Sequence, residues 1–283
     1  VNFLDVLMRA GRGGASYPAR LGVEGAGVVE AVGSAVTELV VGDHVVLTFD
    51  HCRECASCRS GHPAYCELFA ALNYFGTRLD GTPTLHSGER EVHGSWFGQS
   101  SFATHAVAST RNAVKVDDRL PIDILGPLGC GLLTGAGAVL NVHRPSEGQS
   151  IGVWGIGTVG LSAVMAAKAS GCDPIIAVDP IEAARDRAVA LGADAVASPD
   201  EAPEVIARLA PAGLDAAFDF AGVGPVRTQA LRALGGHGRL VVVGLAGKGF
   251  EIESDTAFAF KGQAVLGHYG SEGKHVLELV HLL

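Results

Sequence analysis

The sequence predicts two domains: an irregular all-β domain and, behind it, a doubly wound α/β domain built on a parallel sheet. Three observations carry this. From about residue 21 to 107, short β-type runs (GAGVVEAV, DHVVLTF, SFATHAVA) are separated by Gly, Pro and Asp with no long helical period. After about residue 132, strand-like apolar runs alternate with helical stretches, the pattern of parallel strands joined by crossover helices. A glycine-spaced turn stands between the first of those strands and its helix. With 283 residues and 48% hydrophobic side chains, the chain can bury a large core in two domains, expected over 1–131 and 132–283.

In the second domain SIGVWG gives a strand over 150–154, and the small-residue stretch after it gives a helix over 158–170. PIIAVD gives a strand over 175–179, followed by a helix over 183–191. Strands over 195–197, 215–220, 239–243 and 263–267 complete a set of six, the number in a two-halved doubly wound sheet.

The formal net charge of -9 and the lack of any Lys/Arg run give no attraction to nucleic acid or an anionic membrane. No apolar run reaches the ~18–20 residues of a transmembrane helix. The N-terminus lacks the basic, apolar and small-residue order of a signal peptide, so the expected compartment is the cytoplasm. Both ends read as trimmed: Val1 is not an initiator Met, and the helix-like EGKHVLELVHLL stops without a capping signal.

Residues 151–160 read IGVWGIGTVG. Gly155 permits the tight turn out of the strand, Gly157 lets the backbone approach a pyrophosphate, and Gly160 lets the helix pack close to the strand. Thr158 and Val159 lie between the last two glycines, at a helix N-terminus that faces the phosphate charge. The second strand ends at Asp179, about twenty residues on, where a carboxylate accepts from both ribose hydroxyls and repels a 2′-phosphate. The expected ligand is therefore NAD(H) rather than NADP. Arg185 could serve a phosphate, but it falls in the next helix and reads as a solvated side chain. The bland alternative, a glycine-rich turn with no cofactor, is weakened by the complete strand, glycine, helix, strand and acid order.

Cys52, Cys55, Cys58 and Cys66 form C-x2-C-x2-C-x7-C within DHCRECASCRSGHPAYC. Four thiolates so spaced close a tetrahedron around one structural Zn²⁺ and leave no position for water. Disulfides need an oxidising compartment that nothing else indicates, and an iron–sulfur cluster usually shows another spacing. His51 and His62 are surplus to four thiolates and read as surface residues.

This order of parts resembles the zinc-containing medium-chain alcohol dehydrogenases, a GroES-like domain followed by a Rossmann domain, over essentially the whole chain. GVEGAGVVEAVG, GDHVVL, GPLGCGLLTGAGAVLNV and IIAVD are most similar to the aryl-alcohol (benzyl alcohol) dehydrogenase branch. The resemblance implies a small-molecule substrate, Thr134 beside the nicotinamide ring, and a loop from Val243 to Leu245 contacting it. It implies a homodimer or homotetramer joined through the edge strand over 263–267. It also implies that a stretch is lacking at each end, including C-terminal strands that return to the β domain.

That family holds a second, catalytic zinc with a Cys, a His and a Cys, and here the sequence departs from it. The matching segment after a strand is VNFLD, which puts Asn2 at the first ligand and Leu4 at the proton-relaying hydroxyl. The Gly-His-Glu motif is matched by Gly22, Val23 and Glu24, and the third ligand survives as Cys130. One thiolate, with Glu24, falls short of three protein ligands, so catalytic zinc is expected to be absent. His93 and His105 are the stray histidines that could supply a ligand. Losing metal and relay together is coherent, because the relay serves an alkoxide that the metal creates.

The expected activity is NAD(H)-dependent hydride transfer to or from an apolar or aromatic substrate with an activated carbonyl, enone or iminium group. Glu24 and Cys130 are the retained catalytic-site residues, and Glu24, Tyr74 and His93 are the candidates to donate a proton or polarise a carbonyl. The alternatives are an ordinary zinc-dependent aryl-alcohol dehydrogenase with ligands elsewhere, a non-catalytic NAD-binding relative, and a lyase or isomerase with NAD bound structurally.

Overall fold

The computed structural model describes residues 1–12, 16–245 and 249–271. It divides into two compact units, one of Val1–Leu133 with Gly270 and Ser271, the other of Thr134–Tyr269. The division falls inside the helix Gly131–Gly137. The chain rejoins the first unit at Gly270, a turn at φ +61° where an added Cβ would lie 3.4 Å from Phe49. No local pattern announces that return, because it rests on packing. The helix-like pattern over 272–283 lies outside the described residues.

In the first unit, β1 (Gly25–Val28) pairs antiparallel with β2 (His44–Leu47). β3 (Leu85–Ser87) and β4 (Arg90–Val92) form a separate antiparallel ladder, and β5 (Ala113–Val116) pairs with the other edge of β2. The run SFATHAVA is not the expected strand. Ser101 and Phe102 donate to the carbonyls of Gly22 and Leu21, each at 3.0 Å, but Ala103 N–H folds back on Ser101 at 2.8 Å and turns the chain away. The segment VNFLD opens a helix. Asn2 caps a helix, Phe3–Arg9: its Oδ1 accepts from Leu4 N–H at 3.0 Å, and Asp5 reaches back to Asn2 N–H at 3.2 Å.

In the second unit six strands form one parallel sheet. They are β6 (Ile151–Trp154), β7 (Ile175–Val178), β8 (Ala195–Ala197), β9 (Leu214–Asp219), β10 (Leu234–Val242) and β11 (Ala264–Gly267). Their order is β11-β10-β9-β6-β7-β8, so the winding reverses between β6 and β9. β6 and β7 are buried along their whole length, as strands covered on both faces must be. β10 starts earlier than expected because an irregularity between Leu234 and Arg239 lets its first residues pair as well. Trp154, fully buried, anchors a core with Ile176, Val178, Leu214 and Leu240, and its Nε1 donates to Gln229 at 2.9 Å. Among the described residues no helix is long and apolar enough to cross a membrane.

Candidate active site

The four cysteines of the lobe converge, their sulfurs all within 4.8 Å of one another. Cys52 and Cys58 sulfurs are 3.8 Å apart, the edge of a tetrahedron with metal–sulfur bonds of about 2.3 Å. Backbone amides point at the sulfurs: Glu54 and Cys55 donate to Cys52 at 3.4 and 3.3 Å, and Cys52 and Leu68 donate to Cys66, both at 3.4 Å. Amide donors from Glu67 and Cys58 lower Cys55 to about 6, whereas burial raises Cys58 to about 12. A cation among them would hold all four as thiolates. The lobe is tied to β2 through the buried Asp50, whose carboxylate takes a fork from Arg111 at 2.8 and 2.6 Å and whose backbone pairs with Asn73. The chemistry and spacing of this donor set fit a structural zinc.

Also in the first unit, Asn2, Glu24 and Cys130 come together. Asn2 Nδ2 donates to Glu24 Oε1 at 2.8 Å and to the Cys130 sulfur at 3.4 Å, so each amide hydrogen has an acceptor. Glu24 Oε1 also accepts from Gly131 N–H at 3.1 Å. Burial, with the Glu24 and Asp5 carboxylates beside it, raises the Cys130 thiol to about 12. Val23 is buried in an apolar cluster with Met8, Phe49, Trp96 and Phe97, against which Leu4, Tyr74 and Cys130 pack. Tyr74 and Trp96 lie 5.6 Å apart, ring to ring. His105 is exposed and meets Glu30 at 3.1 Å, and His93 is fixed by backbone bonds to Pro18 and Arg20. Among the described residues, the one group of three or more Cys, His, Asp or Glu ligands within reach of a single ion is the lobe. The residues around Cys130 do not fit a catalytic zinc.

In the second unit the three fingerprint glycines divide the work. Gly155 has φ +89°, and an added Cβ would sit 2.6 Å from Ala221 N. At Gly160 a Cβ would sit 2.0 Å from Gly155 O, so only glycine lets the helix Thr158–Ala169 lie on the turn. At Gly157, the N-cap of that helix, a Cβ would meet nothing, and Gly157 and Thr158 are exposed. Open space over a helix N-terminus fits a pyrophosphate. Asp179 is nearly buried, its Oδ2 accepting from Ile156 N–H at 2.7 Å and its Oδ1 from Ile181 N–H at 2.8 Å. These bonds aim the carboxylate and leave each oxygen further lone pairs for ribose hydroxyls. Arg185 donates to the carbonyls of Asp179 and Pro180, at 2.7 and 3.1 Å, as a local brace. Val243 and Gly244 N–H donate to Asp219 O at the end of β9, and Leu245 is exposed.

Three features escape sequence reasoning. Asp5, nearly buried, collects Gly22 N–H and Trp96 Nε1, both at 3.0 Å, besides Asn2 N–H; the Asn2-x-x-Asp5 spacing is the signal that could have revealed it. His268, just past β11, faces Thr134 O with its Nε2 at 3.2 Å, while its N–H donates to Val242 O. Asp219 and Arg227 form a buried ion pair of 2.6 Å. The His268 pairing joins distant segments, and the Asp219–Arg227 pair runs from a strand end into the next helix, so neither shows as a periodic pattern.

Residues 1–118 match the family model for the alcohol dehydrogenase GroES-like domain, and residues 158–283 match that for zinc-binding dehydrogenases. A probable alcohol dehydrogenase of a Pseudomonas species is 46% identical, the match covering 82% of this chain and 74% of that protein. A geraniol dehydrogenase of Castellaniella defragrans is 43% identical over 81% of this chain and 62% of its own length. The benzyl alcohol dehydrogenase of Acinetobacter calcoaceticus superposes with a TM-score of 0.94 at 38% identity, covering 100% of this chain and 78% of that one. With its doubly wound sheet and cysteine lobe, the chain belongs to the zinc-containing medium-chain alcohol dehydrogenase family of oxidoreductases.

Proposed function

We propose that this chain is an NAD(H)-dependent oxidoreductase that moves hydride to or from an apolar or aromatic substrate bearing an activated carbonyl, enone or iminium group, without a catalytic zinc. The observation that carries the reading is the Asn2 amide lying between the Glu24 carboxylate and the Cys130 sulfur. Asparagine is a poor zinc ligand and valine none, so the ligand count stays below three. Losing a Lewis acid removes charge stabilisation worth several kcal/mol, which an already polarised substrate needs less. The aromatic rings packed near Cys130 support an apolar substrate.

Bound NAD(H) supplies or accepts the hydride. Gly155, Gly157, Thr158, Val159 and Gly160 would hold its pyrophosphate, Asp179 its ribose, and Thr134, Val243 and Leu245 its nicotinamide ring. Glu24, fixed through Oε1 by Asn2 and Gly131, would exchange a proton with the substrate. Cys52, Cys55, Cys58 and Cys66 would hold one structural zinc. Four thiols gathered for a cation need a reducing compartment, which supports a cytoplasmic location. A homodimer or homotetramer formed through β11, an edge of the sheet, belongs to the same reading.

The test is metal content per chain together with hydride transfer, followed by NADH absorbance across aldehydes, enones and iminium ions. One zinc and turnover of the activated substrates are expected. Two zincs would establish the ordinary zinc-dependent enzyme instead, and NADH binding without turnover of any of them a non-catalytic relative.

A further inference from the structure

We propose that the buried Asp219–Arg227 pair positions the nicotinamide end of the cofactor site, setting affinity for the ring while leaving the adenosine half untouched. The proposal rests on the NAD(H) reading above. β9 ends at Asp219, whose side chain is fully buried. One carboxylate oxygen accepts from Arg227 Nε at 2.6 Å, and the other from Gly222 N–H at 2.8 Å. The backbone carbonyl of Asp219 accepts from Val243 N–H at 3.0 Å and from Gly244 N–H at 2.8 Å. Arg227 then reaches the Gly244 carbonyl with Nη2. The pair thus grips the turn after β9 and the turn after β10 together.

Those turns meet backbone to backbone. An added Cβ at Gly244 would lie 2.2 Å from Gly222 N, and one at Gly155 would lie 2.6 Å from Ala221 N. Such contacts leave little apolar surface to fix their register, so the polar pair sets it. All of this lies at the carboxyl ends of the strands, beside the reversal of winding where a dinucleotide seats. A buried ion pair is weak evidence of stabilisation, because desolvating both charges offsets their attraction. Its value here is geometric: a guanidinium fork can hold a carboxylate and a carbonyl at once, which the single ammonium of lysine does less well.

Arg227→Lys keeps the charge and shortens the reach. Asp219→Asn with Arg227→Gln removes both charges without stranding a buried carboxylate, and answers the question if the first variant does not fold. Calorimetric titration with NADH and with ADP-ribose, which lacks the nicotinamide, separates the two halves of the site. The expected result for either variant is about tenfold weaker NADH binding with ADP-ribose unchanged within about twofold, and loss of the shifted emission of bound NADH. Equal weakening of both ligands, or of neither, would overturn the proposal. If the unaltered chain bound neither ligand, the NAD(H) reading would fail first, and that outcome is visible before any variant is made.

Discussion

The first unit contains sulfur in two settings, and they behave as opposites. In the lobe four sulfurs face one another, each within reach of a single ion, with backbone amides turned toward them. At Cys130 a single sulfur faces an amide and a carboxylate, and burial holds it as a thiol. A cysteine does not make a metal site by itself: what matters is whether the donors around it can satisfy a tetrahedral ion. Asn2 bridges the Glu24 carboxylate and the Cys130 sulfur through its amide, and Val23 joins the apolar core.

The largest effect on this contrast should come from the lobe. Cys55→Ser, or removal of metal by a strong chelator, is expected to drop zinc content to near zero and to cost stability on the order of 5 kcal/mol, read as a lower unfolding midpoint. A chelated protein that unfolds at the same denaturant concentration would show that the lobe does not depend on metal. Next comes a pair of glycines three residues apart in sequence whose surroundings differ. Gly160→Ala forces a methyl against Gly155 O and should cost roughly 3 kcal/mol. Gly157→Ala meets open space with ordinary backbone angles, so it should leave stability within about 0.5 kcal/mol and weaken NADH alone.

These predictions follow how much of the molecule was legible. The parallel sheet, its six strands and the glycine turn could be read locally, because buried parallel strands are continuous apolar runs and a tight turn needs glycine. The lobe was legible because its four ligands lie within one loop. SFATHAVA misled because its alternation suits a strand, while a turn at Ala103 decides the outcome. The helix after Asn2 is signalled only by Asn and Asp three residues apart, a capping box within the first five residues. His268 with Thr134 joins segments far apart in sequence, and Asp219 with Arg227 bridges a strand end and the helix that follows it, neither of which a periodicity reports.

Smaller effects probe the chemistry. Glu24→Gln keeps an oxygen to accept from Asn2 and Gly131 but cannot exchange a proton, so hydride transfer should fall roughly a hundredfold with NADH binding and zinc content unchanged. An unaltered rate would remove Glu24 from proton transfer. Asp179→Ala should weaken NADH about tenfold and narrow the preference for NADH over NADPH, measured as the ratio of binding constants. Equal loss for both cofactors would show that Asp179 only braces the Ile156 and Ile181 amides.

The smallest expected effect is the sharpest test of the contrast between the two sulfur settings. Cys130→Ser replaces a weak sulfur acceptor with a hydroxyl that can also accept from the Asn2 amide, so zinc content should stay at one per chain. With its thiol raised to about 12, Cys130 carries only about one thiolate in ten thousand at pH 8, and should resist thiol reagents in the native protein. Chelation should then expose the four lobe cysteines to reagent ahead of Cys130 and of Cys172, which burial raises to about 11. A fall from two zincs to one in Cys130→Ser would mean that this sulfur binds metal after all, with ligands other than Asn2 and Val23, and the distinction between the two settings would collapse.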